Sequence, residues 1–375
     1  MAKTKYAVIS GFLGAGKTTA MIAFVKHING SSSGTGAVLV DDLGAANIVD
    51  ANLTEASGIL SLDISGDCIC YQHENLIDKL HQLENAGATV IFSDIPGLGI
   101  GALDNVYLQM IEREPGEFDL MPMTCLIDPE RIRMIMPEQA NLNLPEELKF
   151  LLRAQMKEAD LIVLNKTDTI SESEKEEILR FVKEENQETP VLCMSALTGK
   201  GVGEVVDYMM SHQTGGRHKD IGYGSEAFIA AESRLSWYNQ RVFFEQKEDK
   251  ALDFNEVFTF LFECIRKGLA AKNANVPHLK MFASDGAEQM DVFKASLIGI
   301  DYDVEYASKL KKQYSAISLV INARAAAGSD DMVDVMEDAI ESVQEKYDLR
   351  AKTFFLESFG MMEQGRGNMG RASKY

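Results

Sequence analysis

The segment that most constrains this chain is Gly11-Phe-Leu-Gly-Ala-Gly-Lys17-Thr18. It fits the pattern G-x-x-x-x-G-K-[ST], in which glycines let the backbone wrap around phosphate groups and backbone amides donate hydrogen bonds to them. The apolar run Tyr6–Ser10 precedes the motif, and the helical pattern Lys17–Ile28 follows it. Because the motif works only in this order of strand, loop and helix, the sequence predicts a nucleotide site near the start of the chain.

Two side chains of this loop carry most of the expected chemistry. Lys17 should reach the β- and γ-phosphates, and the Thr18 hydroxyl should ligate Mg²⁺. Backbone and neighbouring groups complete the predicted phosphate-binding set, which comprises Gly11, Gly14, Ala15, Gly16 and Thr19. The nucleotide is therefore expected to bind together with Mg²⁺.

The first half of the chain alternates between short apolar runs and helical patterns. The further predicted strands are Ala37–Val40, Thr89–Phe92, Met121–Ile127, Leu161–Leu164 and Pro190–Met194. Continuous apolar runs rich in β-branched residues are typical of a buried parallel sheet. We therefore expect residues 1–213 to form an α/β domain of the P-loop nucleoside-triphosphatase class, with a mostly parallel sheet and flanking helices.

The pattern changes near residue 214. A glycine-rich polar stretch predicts a linker over residues 214–233. Strands and helices then follow in an order that favours a smaller α+β domain over residues 234–359. The tail, residues 360–375, has too few apolar side chains to pack, and we expect it to be mobile.

A second motif, Asp94-Ile-Pro-Gly97, follows a buried strand. The Asp94 carboxylate can hold Mg²⁺ through water, and the Gly97 amide can contact the γ-phosphate. Together with Lys17, these two residues are the expected catalytic set. The motif is weak by itself, but it gains weight from its position at a strand end beside the phosphate loop.

Two further segments point to guanine as the base. In Asn165-Lys166-Thr-Asp168, the Asp168 carboxylate can accept from the two ring-side donors of guanine, and Lys166 can lie along the base plane. Ser195-Ala196-Leu197 can present a backbone amide to the guanine carbonyl. Because all of these motifs follow strands of one predicted sheet, they should converge where such sheets bind ligands. The sequence therefore predicts a GTP site.

A pair of thiols occurs in Gly66-Asp-Cys68-Ile-Cys70-Tyr71. In an extended segment, residues two apart face the same side, so both sulfurs could reach one ion. Thiolates favour zinc and comparable late transition metals. From the spacing alone, the indication of a metal site is weak. Paired core cysteines, a redox couple and chance compete with it, and the spacing favours paired core cysteines.

The run Gly-Phe-Leu-Gly-Ala-Gly-Lys-Thr-Thr at residues 11–19 resembles CobW-type proteins of the GTPase group that includes CobW, HypB, UreG and MeaB. More loosely, Val276–Phe282 and the strand, helix and strand after Ser315 resemble the CobW C-terminal module. The resemblance implies a GTP-hydrolysing protein that acts as a metallochaperone or metal-insertion factor. One departure is Asp94, where that family usually has Glu.

The resemblance also gives the thiols a role, because CobW-type proteins carry Gly-Cys-x-Cys-Cys as their metal site. Cys68 and Cys70 fall on its cysteines, and Tyr71 replaces the last one. Further candidate ligands are Asp42, which stands in for the family's acidic residue, its neighbour Asp41, and His73. Asp41 and Asp42 could equally hold Mg²⁺ as a pair at the end of their strand. The implied cargo is Zn²⁺ or Co²⁺.

The charge balance limits the partners. With 37 Lys and Arg against 57 Asp and Glu, the formal net charge is -20. Such a surface repels phosphate backbones and anionic lipid, so we expect no nucleic acid and no membrane as a partner. Five cysteines and an N-terminus without a signal pattern favour reduced thiols in the cytoplasm.

The resemblance leaves three functions open. In the first, the protein loads metal into a client metalloenzyme or corrinoid protein, which docks with help from the C-terminal domain. In the second, it is a MeaB-like chaperone for a corrinoid enzyme and carries no metal itself. In the third, it is a purely regulatory GTPase switch. Since the sequence shows no obvious arginine finger, we expect intrinsic GTP hydrolysis to be slow. Stimulation must then come from a partner or from a second copy in a homodimer.

Overall fold

The computed structural model describes residues 3–31, 33–42, 57–65, 68–97, 99–137, 146–248, 250–274, 278–285 and 291–360. The chain divides into two compact units, Met1–Ile229 and Ala230–Tyr375. Within the described residues, the first unit contains an eight-stranded sheet and the second a six-stranded sheet. The predicted tail lies outside the described residues from residue 361 onward.

The sheet of the first unit is parallel throughout. Its strands are β1 Lys5–Gly11, β2 Gly36–Asp42, β3 Leu60–Ser65, β4 Val90–Asp94, β5 Asp119–Leu120, β6 Thr124–Ile127, β7 Leu161–Leu164 and β8 Val191–Cys193. They are ordered β3-β2-β4-β1-β6-β7-β8, and β5 pairs with β1. The predicted α/β fold is confirmed. Because the strands are parallel, all their carboxyl ends lie at one edge of the sheet.

Helices connect these strands. They are α1 Lys17–Gly30, α2 His73–Asn85, α3 Gln109–Arg113, α4 Pro129–Arg133, α5 Glu146–Glu158, α6 Glu172–Glu185, α7 Val202–Ser211 and α8 Glu226–Ser233, and a π-helix, Leu103–Leu108, leads into α3. Ser171 and Glu174 form a reciprocal capping box that starts α6. The side chains of Phe24 and Val25 in α1 pack with Phe92 of β4, which anchors α1 on the sheet.

Two strands differ from the sequence prediction. The run Met121–Ile127 forms a strand only from Thr124, because Pro122 has no N–H to donate to a neighbouring strand. β3 was not predicted at all, although Leu60, Leu62 and Ile64 alternate with polar residues as in a strand with one buried face. Its position at the sheet edge explains why it lacks the continuous apolar run of the central strands.

The second unit contains an antiparallel sheet with the order β12-β11-β10-β13-β9-β14. Its strands are β9 Ser236–Gln246, β10 His278–Ser284, β11 Val292–Leu297, β12 Glu305–Ser308, β13 Ala316–Ala325 and β14 Leu349–Gly360. Helices α9 Phe254–Ala271 and α10 Ser329–Tyr347 supply residues such as Phe258 and Val335 to a core shared with Leu319 and Ile321. The predicted α+β architecture of this region is confirmed.

The segment predicted as a linker, residues 214–233, is bound to the first unit over its first part. The Thr214 hydroxyl donates to Asp160 at 2.7 Å, and the Lys219 amine donates to the Glu158 and Ala159 carbonyls at 3.0 and 2.7 Å. Helix α8 follows, and the boundary between the units falls inside it. None of the helices among the described residues combines the length and apolar composition needed to cross a bilayer.

Candidate nucleotide and thiol site

The phosphate loop joins β1 to α1 at the carboxyl edge of the sheet. Its glycines are required by geometry, since Gly16 has φ 89° and a Cβ on Gly11 would lie 2.1 Å from the Leu126 carbonyl oxygen of β6. The Lys17 amine donates to the Gly11 carbonyl at 2.9 Å, and this bond holds the Lys17 side chain across the loop. Thr18 is buried at the start of α1. The structure therefore assembles the predicted phosphate-binding residues in one turn.

Asp94 and Gly97 lie beside this loop. Asp94 ends β4, pairs in register with Ile9 of β1, and is almost fully buried. A Cβ on Gly97 would lie 2.9 Å from the Leu13 backbone nitrogen, so the Gly97 backbone packs directly on the phosphate loop. The Thr18 hydroxyl and the Asp94 carboxylate are hard oxygen donors of the kind that Mg²⁺ prefers. These residues fit a Mg²⁺–nucleotide complex.

Asn165 connects the phosphate loop to the segments predicted to contact the base. Its Nδ2 donates to the Ala15 carbonyl at 2.8 Å, and its Oδ1 accepts from the Ala196 amide at 2.9 Å. The amide of Ala196 is thus bonded to Asn165, and the neighbouring Leu197 side chain is 76% exposed. The structure brings the loops after β7 and β8 together at the phosphate loop.

The segment predicted to contact the base is partly exposed to solvent. Asp168 is exposed in a short 3-10 turn, Thr167–Thr169. Ser195 is buried at the start of the loop that follows β8. Lys166 has φ 58°, a left-handed conformation that is uncommon for residues other than glycine. Strained backbone of this kind is concentrated at functional sites. An exposed carboxylate on a fixed turn can accept two hydrogen bonds from a guanine base.

The thiol segment is a turn, not the extended strand that we predicted. Cys68 is extended, but Ile69–Tyr71 forms one turn of 3-10 helix that leads toward α2. The Cys70 amide donates to the Cys68 sulfur at 3.4 Å, and the Tyr71 amide donates to the Cys68 carbonyl at 2.9 Å. Both cysteines are nearly fully buried, and neither forms a disulfide within the part of the chain that the structure describes. The turn, not the alternation of a strand, brings Cys70 back to Cys68.

Asp41 links this turn to Asp94. The Asp41 amide donates to the Asp94 carboxylate at 3.0 Å, while the Asp41 carboxylate accepts from the Ile69 amide at 3.0 Å. Asp41 therefore bonds to the candidate Mg²⁺ ligand with its backbone and to the thiol turn with its side chain. The side chain of Asp42 lies outside the described residues.

The remaining candidate ligand does not join the thiols. His73 Nε2 lies 3.0 Å from both carboxylate oxygens of Glu114. Tyr71 forms a hydrogen bond with the Tyr223 hydroxyl, and burial together with this bond raises the pKa of the Tyr71 phenol. Over the part of the chain that the structure describes, no group of three or more His, Cys, Asp or Glu residues is arranged to hold a metal ion.

Two residues of α5 that the sequence analysis did not name, Gln155 and Glu158, lie next to the candidate site. Both side chains are buried, and both bond to the backbone that follows Gly97. A signal was present in the sequence. Gln155 and Glu158 fall at helical spacing on the same stripe as Leu148, Leu151 and Leu152, where an apolar residue is the norm.

A parallel sheet with a phosphate loop after its first strand defines a P-loop nucleotide-binding protein. Residues 5–193 match the family model described as CobW/HypB/UreG, nucleotide-binding domain. The chain therefore belongs to the CobW/HypB/UreG family.

Individual relatives are more distant. The zinc chaperone YeiR of Escherichia coli K12 is 31% identical over 174 residues, which is 46% of this chain and 49% of YeiR. The match thus spans about half the length of that protein. HypB from Helicobacter pylori in complex with nickel is 16% identical with a TM-score of 0.39, covering 55% of this chain and 86% of HypB. Zn(II)-bound YjiA GTPase from E. coli is 15% identical with a TM-score of 0.36, covering 92% and 99%.

Proposed function

We propose that this protein is a Mg²⁺-dependent GTP-binding and GTP-hydrolysing metallochaperone, in which the nucleotide state controls metal binding at Cys68 and Cys70. The observation that carries the proposal is the hydrogen-bonded connection from Asp94 through Asp41 to the thiol turn. Family membership supports the nucleotide chemistry, and the zinc chaperone YeiR supports the cargo. We propose the cytoplasm as its compartment and a client metalloenzyme as its partner.

The nucleotide chemistry follows from the phosphate loop. Mg²⁺ neutralises charge on the phosphates, and the Thr18 hydroxyl and the Asp94 carboxylate are the groups that would hold it. The Lys17 amine, now on the Gly11 carbonyl, moves to the phosphates and meets the charge that develops on the γ-phosphoryl group. Asp168 selects guanine. Slow turnover is expected until a client or a second copy of the chain contributes a further cation.

Asp41 makes the two sites depend on each other. A change in the position of Asp94 alters the bond to the Asp41 amide, and the Asp41 carboxylate holds the Ile69 amide between the two cysteines. A coupling of about 1–3 kcal/mol, or five- to 150-fold in affinity, is typical of linked sites. The cargo is Zn²⁺ or Co²⁺, which thiolates bind well. Its remaining ligands come from the client.

The test is a titration of Zn²⁺ and Co²⁺ into protein loaded with GDP or with a non-hydrolysable GTP analogue. We expect at least a fivefold difference in metal affinity between the two states. Asp41→Ala should reduce this difference, while Asp63→Ala, which removes an exposed carboxylate on the neighbouring β3, should not. Identical affinities in both states would contradict the gating. Retained binding in Cys68→Ser with Cys70→Ser would show that the thiols are structural.

One observation favours a second candidate, a chaperone that serves a corrinoid enzyme without carrying metal. At the position of the family's last cysteine stands Tyr71, whose phenol bonds to Tyr223. The bond between Tyr71 and Tyr223 stabilises the thiol turn, so residue 71 has a structural role here instead of supplying a metal ligand. If the double cysteine variant binds metal as well as the parent does, this second candidate becomes the better one. An assay of a corrinoid enzyme then separates it from a purely regulatory switch, which would have no effect on that enzyme.

A further inference from the structure

Helix α5 presents two buried polar side chains, Gln155 and Glu158, one turn apart on the same face. Burying such groups is costly unless they are hydrogen-bonded, and a buried carboxylate is especially costly. Neither residue belongs to the phosphate loop, the base-reading segment or the thiol turn. The Gln155 amide nitrogen and the Glu158 carboxylate form hydrogen bonds with the backbone of residues 97–103, which offset part of this cost.

That backbone follows Gly97. Gln155 Nε2 donates to the Gly99 carbonyl at 2.9 Å and to the Gly97 carbonyl at 3.4 Å. The Glu158 carboxylate accepts from the Leu103 amide at 2.7 Å and from the Gly101 amide at 3.0 Å. The first amides of a helix have no partner within it, so Glu158 also caps the start of the π-helix.

The other end of this segment is fixed as well. Tyr107, in the π-helix, is fully buried, and its hydroxyl accepts from the Val8 amide of β1 at 2.8 Å. At the start of the segment, Gly97 packs so closely on Leu13 of the phosphate loop that a Cβ would not fit. The bonds from α5 therefore hold the Gly97 carbonyl and the backbone that continues from it, while Gly97 itself packs on the phosphate loop.

We propose that Gln155 and Glu158 are positioning residues that hold the Gly97 amide against the phosphate loop, and that they thereby set the preference for GTP over GDP. This inference rests on the proposed function. Because GDP lacks the γ-phosphate that Gly97 would contact, loss of either residue should weaken binding of the triphosphate and leave binding of the diphosphate unchanged.

The experiment compares Gln155→Met and Glu158→Gln, which preserve side-chain volume, with Lys157→Ala, an exposed position on the same helix. Affinities for GDP and for a non-hydrolysable GTP analogue are measured with Mg²⁺. Each hydrogen bond to neutral backbone corresponds to roughly three- to tenfold in affinity. We expect that loss for the analogue in both buried variants, GDP affinity within about twofold of the parent, and no change in Lys157→Ala.

Hydrogen exchange of peptides covering residues 99–105 gives a second readout. With the analogue bound, exchange should be faster in the two buried variants than in the parent, while peptides from α6 should be unchanged. If Glu158→Gln does not fold, Gln155→Met decides alone. Equal losses for both nucleotides, or no loss for either, would overturn the inference while leaving the proposed function intact. A parent protein that binds neither guanine nucleotide would overturn both.

Discussion

Glu158 should make the stability of the first unit depend on pH. Burial raises the pKa of its carboxyl to about 7, and this effect outweighs the bonds from the Leu103 and Gly101 amides, which lower the pKa. Among neighbouring charges, Asp104 raises the pKa further and Lys219 lowers it. The group that titrates, the Glu158 carboxyl, is therefore the same group that binds the backbone after Gly97.

The sign and size of this pH dependence follow from the linkage between proton binding and folding. Because the pKa in the folded state lies above the ordinary value of 4.5, the folded protein binds this proton more tightly than the unfolded chain does. The resulting stabilisation is complete below about pH 4.5 and is lost as the pH rises through about 7. The difference between the two pKa values corresponds to roughly 3 kcal/mol, of which about 2.5 kcal/mol is lost between pH 5 and pH 8.

Native-state hydrogen exchange of amides in β1 and β4 measures the free energy of unfolding of this unit. Relative to Glu158→Gln, which does not titrate, the parent should lose about 2.5 kcal/mol between pH 5 and pH 8. Gln155→Met retains the carboxyl and should follow the parent, which separates titration from loss of packing. Parallel pH curves for the parent and Glu158→Gln would refute the reasoning.

Three further substitutions test the nucleotide and thiol sites. Asp168→Asn should weaken GTP binding about ten- to hundredfold and improve binding of xanthosine triphosphate in competition assays, and equal binding of ATP and GTP by the parent would contradict the assignment. Lys17→Ala should abolish phosphate release, because the γ-phosphoryl group loses its side-chain counter-charge. Tyr71→Cys supplies a third thiol and should tighten Zn²⁺ binding roughly tenfold or more, whereas Tyr71→Phe should not.

The sequence predicted the parts of the structure that local patterns determine. Continuous apolar runs identified the central strands, and the glycine spacing identified the phosphate loop. The conformation of the thiol segment was predicted wrongly, because it depends on a bond between the Ile69 amide and the Asp41 carboxylate, 28 residues away. A segment this short has too few local constraints to choose between an extended strand and a turn, so a distant partner decides.

Gln155 and Glu158 show a different limit. Their position on an apolar stripe was visible in the sequence, since polar residues there must find buried partners. Which partners they find depends on how the backbone after Gly97 crosses α5, and glycines at 97, 99 and 101 leave that path open to several conformations. The sequence could therefore show that a polar residue occupies a core-facing position, but assigning the role of that residue required the fold.

The segment after Gly97 and the thiol turn share a neighbour, and this has a thermodynamic consequence. The ring of Tyr223 packs so closely on Gly101 that a Cβ there would lie 2.8 Å from it, and the Tyr223 hydroxyl bonds to Tyr71. The thiol turn is thus joined to the nucleotide site on two sides, through Asp41 and through Tyr223. Linkage is reciprocal, so a metal that binds more tightly in the GTP state must raise GTP affinity by the same factor. Delivery of the metal to a client would then weaken GTP binding by that factor and so favour release of GTP.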